Sequence, residues 1–351
     1  MNRTLSRNRI LLLAAALGLA ACTDSADIDL LEIEATGALV GLAFLDQNGN
    51  GDLDANDEPL DGVTVQLTAG VGGEVVQQAD TDSEGVFEMT DVPVGTYSLT
   101  LDAAVLGDSL EAVTAGGDVT IRLDEQTQVN VGVSFPTLTI EEVRQAEPGR
   151  RVFTTGIALN PRQPFGDGLV HLKGDSLHLR ATNVARATLN TGDSVRFLGR
   201  TARDAGQPIL DDVTPTILIS LAAIVVPEEL TTAGAAAAGS ELDAALARVR
   251  DADIVDTFTV SGDFHFTVDD GSGPLEAVIR SFLQPTTTGF RPDSVVATEL
   301  TGLLVPFADP QGPVRWRMYL RGPFDVRLET KALPMALGPP AEPASAGVGA
   351  R

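Results

Sequence analysis

The stretch GALVGLAFLDQNGNGDLDANDEPLDGVTVQL, residues 37–67, joins two apolar segments through an acidic loop. Before the loop, residues 38–44 have strand character, and after it Val63, Val65 and Leu67 alternate with polar residues. Such alternation is typical of a half-buried strand. A helix–loop–helix sensor needs amphipathic helices on both sides of its loop. The sequence therefore predicts that this loop joins two strands.

The loop itself, DQNGNGDLDANDE (46–58), spaces its oxygen-bearing side chains as calcium loops do. Gly51 stands sixth, where a sharp turn is required, and Leu53 is expected to point into the core. The predicted ligands are Asp46, Asn48, Asn50, Asp52 through its backbone, Asp54, and either Asp57 or Glu58 at the closing position. A structural Ca²⁺ is expected. The alternative is an ion-free surface loop, because Asp, Asn and Gly also favour turns.

Further strand patterns follow this loop as far as residue 135. They are GEVVQQADT, GVFEMTDV, GTYSLTLDA, DVTIRLDE and TQVNVGVSF, separated by turn signals such as DSEG (82–85). About seven short strands in ~100 residues are typical of an antiparallel β-sandwich.

Residues 37–102 resemble the B-type (SdrD B-like) repeat of serine-aspartate-repeat surface proteins and, more broadly, collagen-adhesin B-type (Cna-B) domains. The matching residues are Asp46, Asn48, Asn50, Gly51, Asp54, Leu60, Gly62, Val63, Val65, Leu67, Thr81, Asp82, Gly85, Phe87, Val92, Gly95 and Tyr97. Phe87 stands where the family prefers Tyr, and the closing ligand is shifted between Asp57 and Glu58. The resemblance implies a prealbumin-like sandwich, residues 37–135, in which calcium stiffens a spacer or stalk.

The first residues predict export and lipid anchoring. Residues 1–22 carry Arg3, Arg7 and Arg9 before an apolar run that ends LAAC, which resembles the bacterial lipobox with Cys22 as the lipidated residue. The alternative is an ordinary secretory signal. In lipoproteins the residue after the cysteine biases sorting, and Thr23 favours the outer membrane and cell surface. Residues 23–36 are predicted to be a polar tether.

Charge divides the chain into two different parts. Residues 23–136 carry 23 acidic residues and one basic residue, whereas residues 137–351 carry 26 acidic and 20 basic residues. The acidic half argues against a nucleic-acid partner, because phosphates would be repelled. Cys22 is the only cysteine, which excludes intrachain disulfides and zinc–thiolate sites.

The second half reads as a duplication, with copies at 137–226 and 227–329. Each copy closes with a D-S-V strand and a glycine, DSVRFLG (193–199) and DSVVATELTG (293–302). The segments resemble extracellular OB-fold modules. The matching residues are Gly156, Gly192, Asp193, Val195 and Gly199 in the first copy and Asp270, Gly271, Gly273, Val295 and Gly302 in the second. The resemblance implies two five-stranded barrels that bind nucleic acids, oligosaccharides or proteins; a generic β-sandwich is the alternative.

One strand of the second copy, RWRMYLR (315–321), is a candidate ligand face. Alternation places Trp316, Met318 and Leu320 on one side and Arg315, Arg317, Tyr319 and Arg321 on the other. The first set is expected to be core. The second is either a solvated cationic face or a contact for carbohydrate or an anion.

Catalytic chemistry finds little support. His171, His178 and His265 show no zinc spacing, and the chain has no G-x-S-x-G motif. These histidines are expected to be core or surface residues, and DDGSG (269–273) a hairpin turn.

The sequence thus predicts an all-β chain, a prealbumin/Ig-like sandwich followed by two OB-like barrels, with a disordered tail at 330–351. The leading hypothesis is a non-catalytic cell-surface lipoprotein that binds a protein or carbohydrate. The alternative is an accessory subunit that holds nucleic acid or glycan for an extracellular degradative system. A hydrolase is a weaker third.

Overall fold

The computed structural model describes residues 35–70, 72–102, 109–112, 118–161, 168–283, 287–308 and 313–331. These residues form a two-sheet sandwich followed by two barrels, which confirms the all-β prediction. The predicted signal peptide with Cys22, nearly all of the tether, and the tail from residue 332 onward lie outside the described residues.

The sandwich comprises nine strands among the described residues. They are β1 (Thr36–Leu45), β2 (Glu58–Pro59), β3 (Thr64–Thr68), β4 (Val75–Asp80), β5 (Val86–Pro93), β6 (Gly95–Leu101), β7 (Glu111–Ala112), β8 (Val119–Ile121) and β9 (Gln126–Ser134). One sheet has the order β2-β1-β9-β7 with β5 paired to β1, and the other has the order β4-β3-β6-β8. The first and last strands, β1 and β9, are parallel neighbours.

The two sheets meet over one apolar core. Val65 and Leu67 of β3 are fully buried, as their alternation with polar residues predicts, and they pack with Leu39, Phe87 and others from the facing sheet. Burial of such side chains contributes about 1.5–3 kcal/mol each. The acidic loop therefore begins at the end of β1 and ends at β2, and these two strands pair in one sheet of the sandwich.

The first barrel is preceded by a short helix, which the strand patterns did not predict. Its elements are α1 (Ile140–Gln145), β10 (Arg151–Ala158), β11 (Val170–Lys173), β12 (His178–Ala181), β13 (Ser194–Asp204) and β14 (Gln207–Ile219). Thr139 and Glu142 form a capping box at the start of α1, and Ile140 and Val143 enter the barrel core. The strands close in the order β10-β11-β12-β14-β13.

The second barrel repeats this ring. Its elements are β15 (Glu228–Glu229), α2 (Thr232–Ala236), β16 (Leu246–Val260), β17 (Asp263–Asp269), β18 (Leu275–Ile279), β19 (Val295–Phe307), β20 (Arg315–Tyr319) and β21 (Val326–Thr330). The order is β16-β17-β18-β20-β19, and β19 pairs back to β16. In both rings the third and fifth strands are parallel and the other pairs are antiparallel.

The two barrels pack against each other. Leu159 of the first barrel lies in one buried cluster with Leu246 and Leu303 of the second. Beside it, the Arg321 guanidinium donates to the Leu159 carbonyl at 3.0 Å. Within the described part of the chain, no helix is both long enough and apolar enough to span a membrane.

Candidate functional site

The acidic loop is wound around a single carboxylate, that of Asp46. The side chain of Asp46 is fully buried and accepts hydrogen bonds from the backbone amides of Asn48 (3.1 Å), Gly49 (2.5 Å) and Gly51 (2.7 Å). At its base, Ser134 Oγ of β9 donates to the Asp46 carbonyl at 2.7 Å. The first residue of the predicted calcium loop thus fixes both the curl of the loop and its attachment to the sheet.

Three further predicted ligands meet at one point of the loop. Asn48 Nδ2 and Asn50 Nδ2 donate to Asp54 Oδ2 at 2.7 and 3.0 Å. A 180° rotation of each amide group would turn its oxygen toward the same point. This exchange of nitrogen for oxygen is the change that a hard cation such as Ca²⁺ requires, since it takes oxygen ligands only. The same rotation would break the bonds that Asn48 Oδ1 and Asn50 Oδ1 accept from the amides of Asn50 and Asp52. The residues present therefore fit a calcium ion once ligation to the ion replaces those two bonds.

Asp57 closes the loop, and Glu58 does not. The two oxygens of Asp57 accept from the amides of Gln47 (2.9 Å) and Asp54 (2.8 Å). Glu58 is exposed and lies in β2 opposite Leu45. The structure thus favours the first of the two closing positions that the sequence left open.

The position of Leu53 and the number of clustered acidic side chains in the loop both differ from what a calcium loop predicts. Leu53 is 45% exposed, so the expectation that it points into the core is wrong. The elements that flank this loop are the strands β1 and β2. Within the described ranges, no group of three or more His, Cys, Asp or Glu side chains is arranged to hold a metal ion. The candidate set here depends on the two asparagines.

The candidate ligand face on β20 is divided between three roles. Arg315 is exposed, whereas Arg317 is paired with Glu276 (3.3 Å) and lies 4.1 Å from the ring centroid of Phe307. Tyr319 packs against the apolar cluster between the barrels. On the opposite side, Trp316, Met318 and Leu320 are core residues, as predicted.

Arg321, the fourth residue of the predicted face, does not face solvent as part of that face. Its guanidinium forms a two-point ion pair with Asp325 (2.8 and 3.1 Å) besides its bond to Leu159 of the first barrel. Arg321 therefore stabilises the contact between the barrels. Strand alternation predicts which side of the strand a side chain lies on, but it does not predict that the first barrel packs against that side.

A cavity of about 670 Å³ opens beside Arg315. It is lined by Ala233, Ala236, Ala237, Thr267, Gly273, Pro274, Glu276, Phe307, Pro313, Val314, Arg315 and Trp316. Apolar walls with a few polar groups, in a volume of this size, are typical of sites for small molecules. The cavity brings two elements that the sequence did not connect, α2 and the hairpin of β19 and β20, to the predicted face.

Glu276 links this cavity to a polar network that sequence reasoning missed. The Nδ1 atom of His265 lies 2.6 Å from Glu276 Oε1, which also accepts from Arg317. The His265 ring stacks on Phe258 at 5.0 Å between centroids. His265 and Glu276 lie on the paired strands β17 and β18, 11 residues apart in sequence, and Arg317 joins them from β20.

The other two histidines are core residues of the first barrel. His171 is fully buried and its ring Nδ1 lies 3.0 Å from Asn160 Oδ1. Burial, together with the positive charges of the nearby Lys173 and Arg144, lowers the pKa of His178 to about 4. Burial also lowers the pKa of His171 well below its usual value. Both imidazoles are therefore neutral at pH 7.

A buried ionic cluster joins the two barrels. Asp243, which is fully buried just before β16, lies 3.7 Å from Arg144 and 3.5 Å from Arg180. Arg144 also donates to Ser240 Oγ at 3.1 Å, and Arg180 pairs with Asp204 at 2.7 Å. The sequence carried no signal for this cluster, because its members come from three separate segments.

Comparison with known proteins agrees with the sandwich. Residues 37–145 match the SdrD B-like domain family, which covers less than half of the chain. No curated protein matches.

Among solved structures, the chain is similar to GBS52, the minor pilin of Streptococcus agalactiae, at 20% identity, with 29% of this chain and 45% of the pilin covered and a TM-score of 0.23. The chain thus spans less than half of that pilin. It is also similar to the Ifi202 HINa domain in complex with 20-bp double-stranded DNA, at 11% identity, with 52% and 96% covered and a TM-score of 0.26. These likenesses are too distant to bear on function.

Proposed function

We propose that this chain is a non-catalytic lipoprotein of the cell surface. In this proposal lipid on Cys22 anchors it, a calcium-stiffened sandwich acts as a stalk, and two OB-like barrels are displayed beyond it for binding. The observation that carries the proposal is the loop wound around Asp46, within a region that matches the SdrD B-like family. A single loop between strands suits a stiffening role better than a sensing role.

Calcium in this loop would be held by Asp46, Asn48, Asn50, the Asp52 carbonyl, Asp54 and Asp57. The ion would supply positive charge among clustered carboxylates and cross-link the two ends of the loop. Asp46 and Asp57 already hold the backbone in a curled form, so binding would require the amide groups of Asn48 and Asn50 to rotate rather than the backbone to refold.

Removing one ligand tests the calcium site. Extracellular calcium modules bind with a Kd on the order of 10⁻⁴–10⁻³ M, and calcium at about 100 times Kd stabilises by about 2.7 kcal/mol. We expect calcium to raise the melting temperature of the sandwich in scanning calorimetry, and Asp57→Asn to lose most of that gain. Asp61→Asn, a nearby exposed carboxylate, should keep it. An unchanged melting temperature together with no heat of calcium binding would exclude the site.

The second barrel carries the proposed ligand site, the cavity beside Arg315. Phe307, Trp316 and Pro313 offer apolar surface, while Arg315 and Glu276 offer charge of both signs. Carbohydrate suits such a lining, because sugar rings have an apolar face and a polar rim. Arg317 is already occupied by Glu276 and Phe307, so we propose that it shapes the wall and that Arg315 makes the polar contact.

Retention on immobilised polysaccharides tests this site. The probes are dextran, which is neutral, and heparin, which is anionic, with the whole secreted chain applied to each. We expect retention on one of them, and weakening of that retention by Arg315→Ala. Arg203→Ala, which removes an exposed arginine of the first barrel, should have no effect. Equal retention of both variants, or none of the chain on either probe, would contradict the carbohydrate site.

The second candidate function is that of an accessory subunit that binds nucleic acid as substrate. The same retention experiment, with immobilised single-stranded DNA as a further probe, tests it. Binding to single-stranded DNA should then weaken steeply with salt, because phosphate contacts release counterions. The acidic charge of residues 23–136 argues for the carbohydrate or protein ligand instead.

A further inference from the structure

We propose that Arg196 couples the calcium loop to the first barrel, so that a cation in the loop sets the angle between the sandwich and that barrel. This inference rests on the calcium site of the proposed function and adds to it the route by which stiffness reaches the barrels. Arg196 lies on β13, opposite Thr155 of β10, about 150 residues away from the loop in sequence.

The guanidinium of Arg196 is bonded directly to the loop backbone. Its Nη1 donates to the carbonyls of Asn48 (3.2 Å) and Gly49 (3.0 Å). Gly49 has φ +67°, and a Cβ there would lie 2.4 Å from Arg196 Nη2. Only glycine allows both the left-handed turn and the close approach of the guanidinium. The third and fourth residues of the calcium loop, Asn48 and Gly49, are therefore also the point where Arg196 of the barrel binds.

The barrel holds this arginine from the other side. The Arg196 guanidinium lies 3.9 Å from the centroid of Phe153, a stacking distance that lysine would not reproduce because it lacks a planar group. Phe153 is itself tied to the chain that connects the two modules: its amide donates to the Pro136 carbonyl and its carbonyl accepts from Leu138, both at 2.8 Å. Arg196 thus bridges the loop and the base of the connection.

Cation binding would act on the same atoms. Asp46 grips the amides of Asn48 and Gly49, and these residues supply the carbonyls that Arg196 holds. With calcium bound, Asp46 and Asn48 would be fixed to the ion, and the two carbonyls with them. Without it, repulsion among the loop carboxylates opposes the curled form, and the hold on Arg196 weakens.

Charge does not oppose this coupling. Burial lowers the pKa of Arg196, and the neighbouring Asp46 counteracts that shift; the guanidinium remains a cation at neutral pH. The loop's four aspartates, Asp46, Asp52, Asp54 and Asp57, outnumber the two charges of one divalent ion. A loaded loop therefore still attracts Arg196.

The contact between the barrels supplies an internal control. It depends on Asp243, its two arginines, and the cluster around Leu159. None of these touches the acidic loop. Calcium should therefore change the mobility of one junction and leave the other as it is.

Distances between spin labels measure both junctions in the whole secreted chain. With Cys22→Ser to remove the native thiol, Ser83→Cys and Thr188→Cys report on the sandwich and first barrel, and Thr188→Cys with Thr259→Cys on the two barrels; all three labelled positions are exposed. We expect calcium, compared with chelator, to narrow the distribution of distances between labels 83 and 188 and to leave that between labels 188 and 259 unchanged.

Variants of Arg196 test whether this side chain causes the narrowing. Arg196→Ala should abolish the narrowing, and Arg196→Lys should also abolish it, although lysine keeps the positive charge. Arg200→Ala, on the same strand, should preserve it.

Calorimetry separates the failure of this coupling from the failure of the calcium site. Because coupling between sites is reciprocal, Arg196→Ala should also weaken calcium binding, by about 5-fold at the lower end of common coupling energies. Wild-type calcium affinity and wild-type narrowing in Arg196→Ala would overturn the coupling while leaving the calcium site intact. Calcium binding to the wild-type chain without narrowing of the distance distribution between labels 83 and 188 would also overturn the coupling and leave the calcium site intact. No calcium binding at all would overturn both proposals.

Discussion

His178 shows how burial alone makes the first barrel sensitive to pH. Its folded pKa is about 4, below the ordinary value of 6.5, because the charged form is poorly solvated there. Between these two values the unfolded chain binds more protons than the folded chain. The stability due to His178 is therefore complete above about pH 6.5 and is lost as the pH falls toward the folded pKa.

As the pH falls from about 6.5 to about 4, we expect protonation of His178 to lower the free energy of unfolding of the first barrel by up to about 3 kcal/mol. His171 shifts in the same direction and adds to the loss. Hydrogen exchange of barrel peptides, measured above and below the window, gives the change in stability. His178→Asn cannot take up the proton, so its barrel should lose less. A His178 resonance that titrates at the ordinary imidazole pKa would show that the ring is not desolvated as described.

At the scale of elements, one glycine in each barrel allows close packing between the fourth and fifth strands of the ring. Gly199 of β13 and Gly302 of β19 both follow the repeated D-S-V pattern. A Cβ on Gly199 would lie 2.6 Å from Leu210 Cγ, and one on Gly302 would lie 2.5 Å from Met318 Cγ and 2.8 Å from the Tyr319 carbonyl. These glycines let the fifth strand of each ring pack closely across the fourth.

Alanine at either glycine should destabilise its barrel by about 1–3 kcal/mol, the usual cost of overpacking. Gly322→Ala is the matched control, since a Cβ there has no neighbour within 4 Å. Urea unfolding of each variant gives the comparison. If Gly302→Ala were as stable as Gly322→Ala, the close packing of β19 on β20 would not be required for the ring.

The elements also show what the sequence could and could not predict. The strand after the acidic loop follows from alternation, because Val65 and Leu67 are buried and the residue between them is less so. The strand before the loop, β1, was predicted from its apolar composition instead. The helix α1 was missed since it has only six residues and relies on its cap and on two apolar contacts. The closing ligand Asp57 was left open because spacing alone does not show which carboxylate turns inward. Arg196, Asp243 and Glu276 could not be found, as their partners come from distant segments.

For the molecule as a whole, the two junctions differ in kind. Among the described residues, the sandwich meets the first barrel at Arg196, which holds the acidic loop, and at Phe135, whose ring lies beside Arg151 and Phe153. The two barrels instead share a buried apolar cluster and a buried ionic one. A junction of the first kind can be adjusted by an ion. The second kind is fixed by packing, so under the coupling proposed above the two barrels would move as one unit relative to the sandwich.

The buried carboxylate of Asp243 gives the sharpest test of that second junction. Replacing it by asparagine leaves Arg144 and Arg180 without a charge that both face across the barrel contact. Breaking a buried ion pair by removing one partner costs about 3–5 kcal/mol.

We therefore expect Asp243→Asn to lower the urea midpoint followed by the fluorescence of Trp316, the single tryptophan, which is buried in the second barrel. Glu241→Gln changes an exposed carboxylate two residues away and should leave the midpoint within about 0.5 kcal/mol of wild type. In Asp243→Asn the label pair at residues 188 and 259 should also show a broader distance distribution. Equal midpoints for the two variants, with an unchanged label distance, would mean that packing around Leu159 holds the barrels together without the ionic cluster.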